Sequence, residues 1–271
     1  MDRHGERLIR LYRTSSRRRE QAMRAASAAF DGFWLGMFDR ETLALLDEIY
    51  YQGRTEPLAG RQVTYADKAW NLSGLSDWET AVVATYFGSA HRMVITGAGG
   101  GREVLALLEH AFDAVGFEPN ERLVEAGREL LEARGHPNRL RPVARDIFPE
   151  DAGPCDAVVV GWGSYMLIPG RARRVRFLRD ARAVLPEGAP ILLSFFTRPE
   201  HGRLTAPALR LTNILRRLRG AELAEAGDGL APNFTHWFVR DEVEGELADA
   251  GFELVHFAEE PYGHAIGRVV A

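Results

Sequence analysis

Apolar residues along the 271-residue chain fall into two patterns, short continuous runs and stretches at three-to-four-residue spacing. The runs Met93-Val94-Ile95-Thr96, Ala114-Val115-Gly116-Phe117, Cys155 to Val160 and Ile191-Leu192-Leu193 read as buried strands,. Helical spacing follows them, in Val104, Leu107, Leu108 and Ala111, in Leu123, Leu130 and Leu131 up to Gly135, and in Val175, Leu178, Ala181 and Leu185,. Five strands with intervening helices are thus predicted over residues 91–198, an alternation that demands a parallel sheet covered by helices on both faces,. Residues 1–90 read as helices with loops, one starting at Asp39-Arg40-Glu41-Thr42-Leu43 and another spanning Asp77 to Phe87. After residue 198 come a helix around 203–219, a loop through Pro232, and a helix from about 240 to 250. Strands at Phe252 to Phe257 and near Ala265 to Val270, joined through Pro261-Tyr262-Gly263, can only be antiparallel neighbours,. The chain is expected to divide into a helical extension, 1–90, and an α/β domain, 91–271.

The first strand breaks into Gly97-Ala98-Gly99-Gly100-Gly101 and then opens onto a helix. Glycine tolerates positive φ and lets backbone approach a ligand, and a helix N-terminus offers free N–H groups, so the turn suits a nucleotide. Glu118 ends the second strand about 20 residues after Gly97, where a carboxylate can accept two hydrogen bonds from a ribose hydroxyl pair,. Pro119 and Asn120 then begin the next helix. A dinucleotide fingerprint G-x-G-x-x-G would need its third small residue at Arg102 or Val104, and both positions fail,.

What stands instead, G-x-G-x-G on Gly97, Gly99 and Gly101, resembles motif I of the class I S-adenosylmethionine-dependent methyltransferases. The resemblance covers roughly residues 60–271. It implies a Rossmann-like, doubly wound, seven-stranded sheet, mostly parallel with a C-terminal antiparallel hairpin. It implies that Gly97, Ala98, Gly99 and Gly101 cradle the cofactor, with Glu118 and Pro119 at the ribose. Asp146 and Ile147 match the adenine site, and Gly161 and Trp162 the loop after the fourth strand. Tyr65, Trp70 and Asn71 lie where such enzymes fold a lid over the methionine end. The family usually carries an acidic residue two positions before the first glycine, and here that residue is Ile95, so contacts to the methionine amino group must come from elsewhere.

In an open sheet of this kind the loops after strands one, two, four and five are expected to form the site. Tyr165, beside Trp162, and His236 are the candidate catalytic residues. The first would stand near the transferred methyl group, and the second would take the acceptor proton because histidine titrates near neutral pH,. His201 is a further candidate base, while His91 reads as structural.

Composition narrows the partners. With 46% hydrophobic and 27% charged residues and a net charge of −4, the chain can bury a full core and gives no reason to expect nucleic acid or an anionic membrane,. Cys155 is the only cysteine, which excludes an internal disulfide and a cysteine-based zinc site; no metal is expected,. No apolar stretch suits a signal peptide or a membrane span, so a cytoplasmic location is expected, where S-adenosylmethionine is made,. Lys68 is the only lysine, and the arginines at 171, 173, 174, 176, 179 and 182 read as a solvated helix face,.

The reading that results is a methyltransferase acting on oxygen or nitrogen of a small molecule, with the N-terminal extension offering a homodimer contact. Two other classes share the pattern. An aminopropyltransferase of the spermidine synthase type would need acidic residues after the fourth strand, where Trp162, Ser164 and Tyr165 stand. A non-catalytic cofactor-binding protein is favoured only by Ile95.

Overall fold

The computed structural model describes residues 3–51, 65–199 and 204–270. Its sheet has seven strands in the order β3-β2-β1-β4-β5-β9-β8, built from β1 (Arg92–Thr96), β2 (Asp113–Glu118), β3 (Leu140–Pro142), β4 (Ala157–Val160), β5 (Pro190–Phe195), β8 (Phe252–Ala258) and β9 (Gly263–Val269). The first five strands run parallel, and β9 pairs antiparallel with both β5 and β8. The expected mixed sheet with a terminal antiparallel hairpin is therefore present.

Both faces of the sheet are covered, which is why its strands are continuous apolar runs rather than alternating ones. On one face Val82 of α4 (Asp77–Tyr86), Val104 and Leu107 of α5 (Arg102–Glu109) and Leu131 of α6 (Glu121–Ala133) pack on Met93 and Ile95. On the other, Val175 and Leu178 of α7 (Arg171–Arg182) and Val243 and Leu247 of α9 (Arg240–Asp249) pack on Val94, Val158 and Ile191.

The register places Thr96 of β1 beside Phe117 of β2 on one side and Val160 of β4 on the other. The chain thus leaves β1 at the point where strand order reverses, and its carboxyl end opens between the β2 and β4 loops,. Asn120 caps α6, its Oδ1 accepting from the N–H groups of Arg122 and Leu123,. Helix α5 ends earlier than its spacing suggests, because Ala111 takes a positive φ.

The extension is a 35-residue helix, α1 (Arg3–Met37), followed by α2 (Arg40–Tyr51) and the single turn α3 (Lys68–Asn71). Helix α1 packs chiefly on α8 (Ala206–Leu218). Gly32 and Gly36 allow this approach, since a Cβ at Gly32 would lie 2.8 Å from Thr212 Oγ1 and one at Gly36 2.9 Å from Leu215 Cδ1. Residues 228–236, read from sequence as a loop, form instead the small antiparallel pair β6 (Asp228–Leu230) and β7 (Phe234–His236). No helix among the described residues is long and apolar enough to cross a membrane.

Candidate functional site

A cleft with about 940 Å³ of empty space, part of it open to solvent, lies at the carboxyl ends of the parallel strands. Its floor is the turn after β1. Gly97, Gly99 and Gly101 all take positive φ, the region a side chain makes costly,. The turn also touches the β4 loop closely, for a Cβ at Gly97 would lie 2.2 Å from Ser164 Oγ and one at Gly161 2.5 Å from Gly97 O.

Glu118 organises this turn. Its Oε2 accepts from Gly99 N at 2.9 Å and its Oε1 from Asn120 N at 2.9 Å. Burial pushes its pKa up to about 7, against the lowering pull of those two N–H groups,. Pro119 and Asn120 line the cleft beside it.

Beyond β3, Asp146 adopts a positive φ, and both it and the half-exposed Ile147 line the cleft. Arg40 of α2 reaches the Asp146 carboxylate at 3.4 Å, and burial raises that carboxyl's pKa despite Arg145 and Arg40. Asp47 of α2 is 5% exposed and is held by Arg145 and Asn233.

The remaining wall is aromatic. Tyr65, Trp70 and Trp162 line the cleft, and their rings meet edge to face, 6.0 Å between Tyr65 and Trp70 and 5.9 Å between Trp70 and Trp162. Beneath the two tryptophans lies Arg102, with its guanidinium carbon 5.2 Å from each ring centroid,. Arg102 donates to Glu79 Oε1 at 2.7 Å and Oε2 at 2.8 Å, to Glu103 Oε1 at 2.8 Å and to Gly74 O at 2.8 Å. Asn71 Nδ2 donates to Tyr65 O at 2.8 Å and to Asp67 O at 3.0 Å, which ties this segment together.

Of the thirteen positions expected at a cofactor, eleven line this cleft; Gly101 and Gly161 support it from behind. Gly101 precedes α5 and faces Leu131, while Gly161 lies against Gly97.

The two expected catalytic residues do not reach the cleft. Tyr165 is 0% exposed, stacks on Phe238 and donates its hydroxyl to Glu246 Oε2 at 2.5 Å. Burial and then the Glu246 charge drive its pKa well above the usual phenol value, so it is a core residue. His236 faces away because β7 pairs with β6, which sets its Nδ1 2.7 Å from Asp228 Oδ1. Burial lowers its pKa, but the Asp228 hydrogen bond and the Glu242 carboxylate outweigh that, and the net shift is upward. Glu225, Asp228 and His236 bring their ligand atoms within 4.8 Å of one another, and Arg174 Nη2 holds Glu225 Oε2 at 2.7 Å, placing a positive charge at this cluster. His201 lies outside the described residues. The described residues just after β5, 196–199, also line no part of the cleft, pairing instead with the chain at Phe238, whose N–H donates to Phe196 O at 2.9 Å.

The arginine run is not uniformly solvated either. Arg174 is 1% exposed and donates to Glu246 Oε1 at 2.7 Å and Glu225 Oε2 at 2.7 Å.

Asp47, Tyr51, Glu103, Asn120 and Arg145 line the cleft without having been singled out as ligand-binding. Glu103 carried a usable signal, standing two residues after the last glycine of the turn; Asp47 and Arg145 meet across 98 residues and carried none.

No family model matches the sequence, and no curated protein matches it. Solved structures do resemble the fold. A SAM-dependent methyltransferase from Methanosarcina mazei superposes with a TM-score of 0.56 at 17% identity, over 73% of this chain and 99% of the other. A sugar N-methyltransferase from a Streptoalloteichus species gives 0.54 at 17% identity, over 80% and 98%. The 1,6-didemethyltoxoflavin-N1-methyltransferase of Burkholderia thailandensis, solved with 1,6-didemethyltoxoflavin and S-adenosylhomocysteine, gives 0.55 at 17% identity, over 84% and 87%. The chain has the fold of the SAM-dependent methyltransferases.

Proposed function

We propose that this protein is an S-adenosylmethionine-dependent methyltransferase acting on oxygen or nitrogen of a small-molecule acceptor. The observation that carries the reading is Glu118, a buried carboxylate at the end of β2 that lines the cleft while one of its oxygens holds the glycine turn. A ribose hydroxyl pair is the donor set such a carboxylate accepts. The cleft suits a polar ligand in a second way, because Asn71, Thr96 and Asn120 line it, and their Oδ1, Oγ1 and Nδ2 atoms are buried without hydrogen-bond partners among the described residues,.

In this reading Gly97, Ala98 and Gly99 give close backbone approach, Glu118 and Pro119 hold the ribose, and Asp146 and Ile147 hold the adenine. Trp162, Tyr65, Trp70 and Asn71 enclose the methionine end. The bound cofactor supplies an electrophilic methyl group on a sulfonium; the aromatic wall favours that cation, excludes water and orients the acceptor for in-line approach. Ser164 and Trp162 after β4, in place of carboxylates, speak against a polyamine substrate.

In this scheme the described residues before position 91, 3–51 and 65–90, belong to a cap on the 91–271 domain. A homodimer contact belongs on the outward side of α1, where Tyr12, Met23, Phe30 and Phe33 are exposed; sedimentation of the purified protein tests it. The cofactor assignment is tested by calorimetric titration with S-adenosylmethionine, S-adenosylhomocysteine and NAD. Micromolar binding of the first two, abolished in Glu118→Ala, is expected, and a response to NAD alone would reject the assignment.

A further inference from the structure

We infer that Glu103, flanked by Asn71, is the ammonium-binding pole of the cleft and takes over the task of the acidic residue that Ile95 replaces. The inference rests on the cofactor reading above and names the group that would hold the amino-acid end.

Ile95 cannot serve this end of the cleft by any change of rotamer, since it is fully buried in the apolar layer against Met93 and Val104. Glu103 is equally buried at 5% exposed, but it lines the cleft. The charges around it do not cancel. Arg102 is matched by both oxygens of Glu79 at 2.7 and 2.8 Å, so the Arg102-Glu79-Glu103 trio keeps one net negative charge. A buried cluster with net charge is costly and calls for a counter-ion.

Position and lone pairs fit one. Trp162 N donates to Glu103 Oε1 at 3.2 Å, and Arg102 donates to the same oxygen. The hydrogen bonds Glu103 accepts from described residues all fall on Oε1, which leaves Oε2 for a ligand. Asn71 lines the same cleft and packs against Gly100, three residues before Glu103. Its Nδ2 is committed to Tyr65 O and Asp67 O, which fixes the orientation of the amide, and its buried Oδ1 has no partner among the described residues. Burial, then Tyr50 and then the charge of Glu103 push the Tyr65 hydroxyl up to about 12, so the carboxylate's field extends to the aromatic wall. Two acceptors on one pole, one of them charged, complement the three N–H donors of a primary ammonium.

The test compares S-adenosylhomocysteine, which carries that ammonium, with 5′-methylthioadenosine, which lacks the whole amino-acid end. Glu103→Gln is expected to weaken the first by at least about tenfold and leave the second within about twofold of wild type, the loss of one charge-assisted contact. Equal loss for both ligands, or for neither, would overturn the inference. Independently of any variant, wild-type protein is expected to bind deamino-S-adenosylhomocysteine at least about tenfold more weakly than S-adenosylhomocysteine, and equal affinity would overturn it as well. If wild type binds none of these nucleosides, the cofactor reading itself fails and takes this inference with it.

Discussion

Gly99 N donates to Glu118 Oε2 at 2.9 Å, so the carboxylate that ends β2 also fixes the turn that leaves β1. Two ligand-facing segments from neighbouring strands are thereby set by one side chain. Because burial brings that carboxyl to about 7, its charge state changes within the working pH range.

Cofactor affinity should therefore depend on pH through Glu118. The ionised form accepts the ribose hydroxyls, so the affinity for S-adenosylhomocysteine is expected to be flat above about pH 7 and to fall toward tenfold per unit below it,. Stability runs the other way. A carboxyl raised in the folded state contributes its full stabilisation below its ordinary value near 4.5 and loses it as pH rises through about 7,. Glu118→Gln should thus bind weakly with no pH dependence, while the free variant melts at or above wild type at pH 8. A wild-type affinity unchanged from pH 5.5 to 8 would contradict this.

Gly100 leaves no room for a methyl group. A Cβ there would lie 2.3 Å from Asn71 Nδ2 and 2.4 Å from Tyr65 O, and the second contact is backbone, which cannot rotate away. Gly100→Ala should displace the Tyr65-Asn71 segment and raise the Kd for S-adenosylhomocysteine by about tenfold, at a stability cost of about 1–3 kcal/mol. Calorimetry alongside urea unfolding separates the two effects, and unaltered binding would mean that this segment does not enclose the ligand.

Tyr165→Phe removes a buried hydroxyl from Glu246, which keeps its bonds to Arg174. The expected loss is about 1–2 kcal/mol in unfolding free energy with no change in cofactor affinity. Lost methyl transfer in a variant of undiminished stability would restore Tyr165 to a direct part in the reaction.

His236→Gln should act on stability and its pH dependence. The folded-state pKa is raised by the net effect of its neighbours, so the stabilisation is complete below the ordinary value of 6.5 and is lost as pH rises through the raised value,. The gap in Tm between wild type and variant is expected to be wider at pH 5.5 than at pH 8.5. Cofactor binding should be the same in both, because the ring does not border the cleft.

The sheet was largely legible because its physics is local. Continuous runs such as Met93 to Thr96 mark strands buried on both faces, and the β8–β9 hairpin followed from a short connection,. Glu118 could be found because a fixed spacing from the glycines carries it to the end of β2. The placement of the two expected catalytic residues could not, since their orientation is set by partners far away: Tyr165 by Glu246, 81 residues on, and His236 by a hairpin hidden in a proline-containing loop. Arg174 escaped for the same reason. Its neighbours at 173 and 176 look identical in sequence, and only the approach of Glu225 and Glu246 turns one arginine inward.

Arg102 spans the two parts of the chain. Its strongest partner, Glu79, belongs to α4 and precedes residue 90, while Arg102 itself opens α5 in the sheet domain. A chain begun at residue 91 would take Gly74 and Glu79 from that guanidinium, leaving it Glu103, and would strip Trp78 from its stacking on Tyr262 and His264. It would also bare the apolar face that Val82 of α4 covers,. The residues before and after position 90 are thus interdependent in energy, and the portion from 91 onward is not a module that could be transplanted alone.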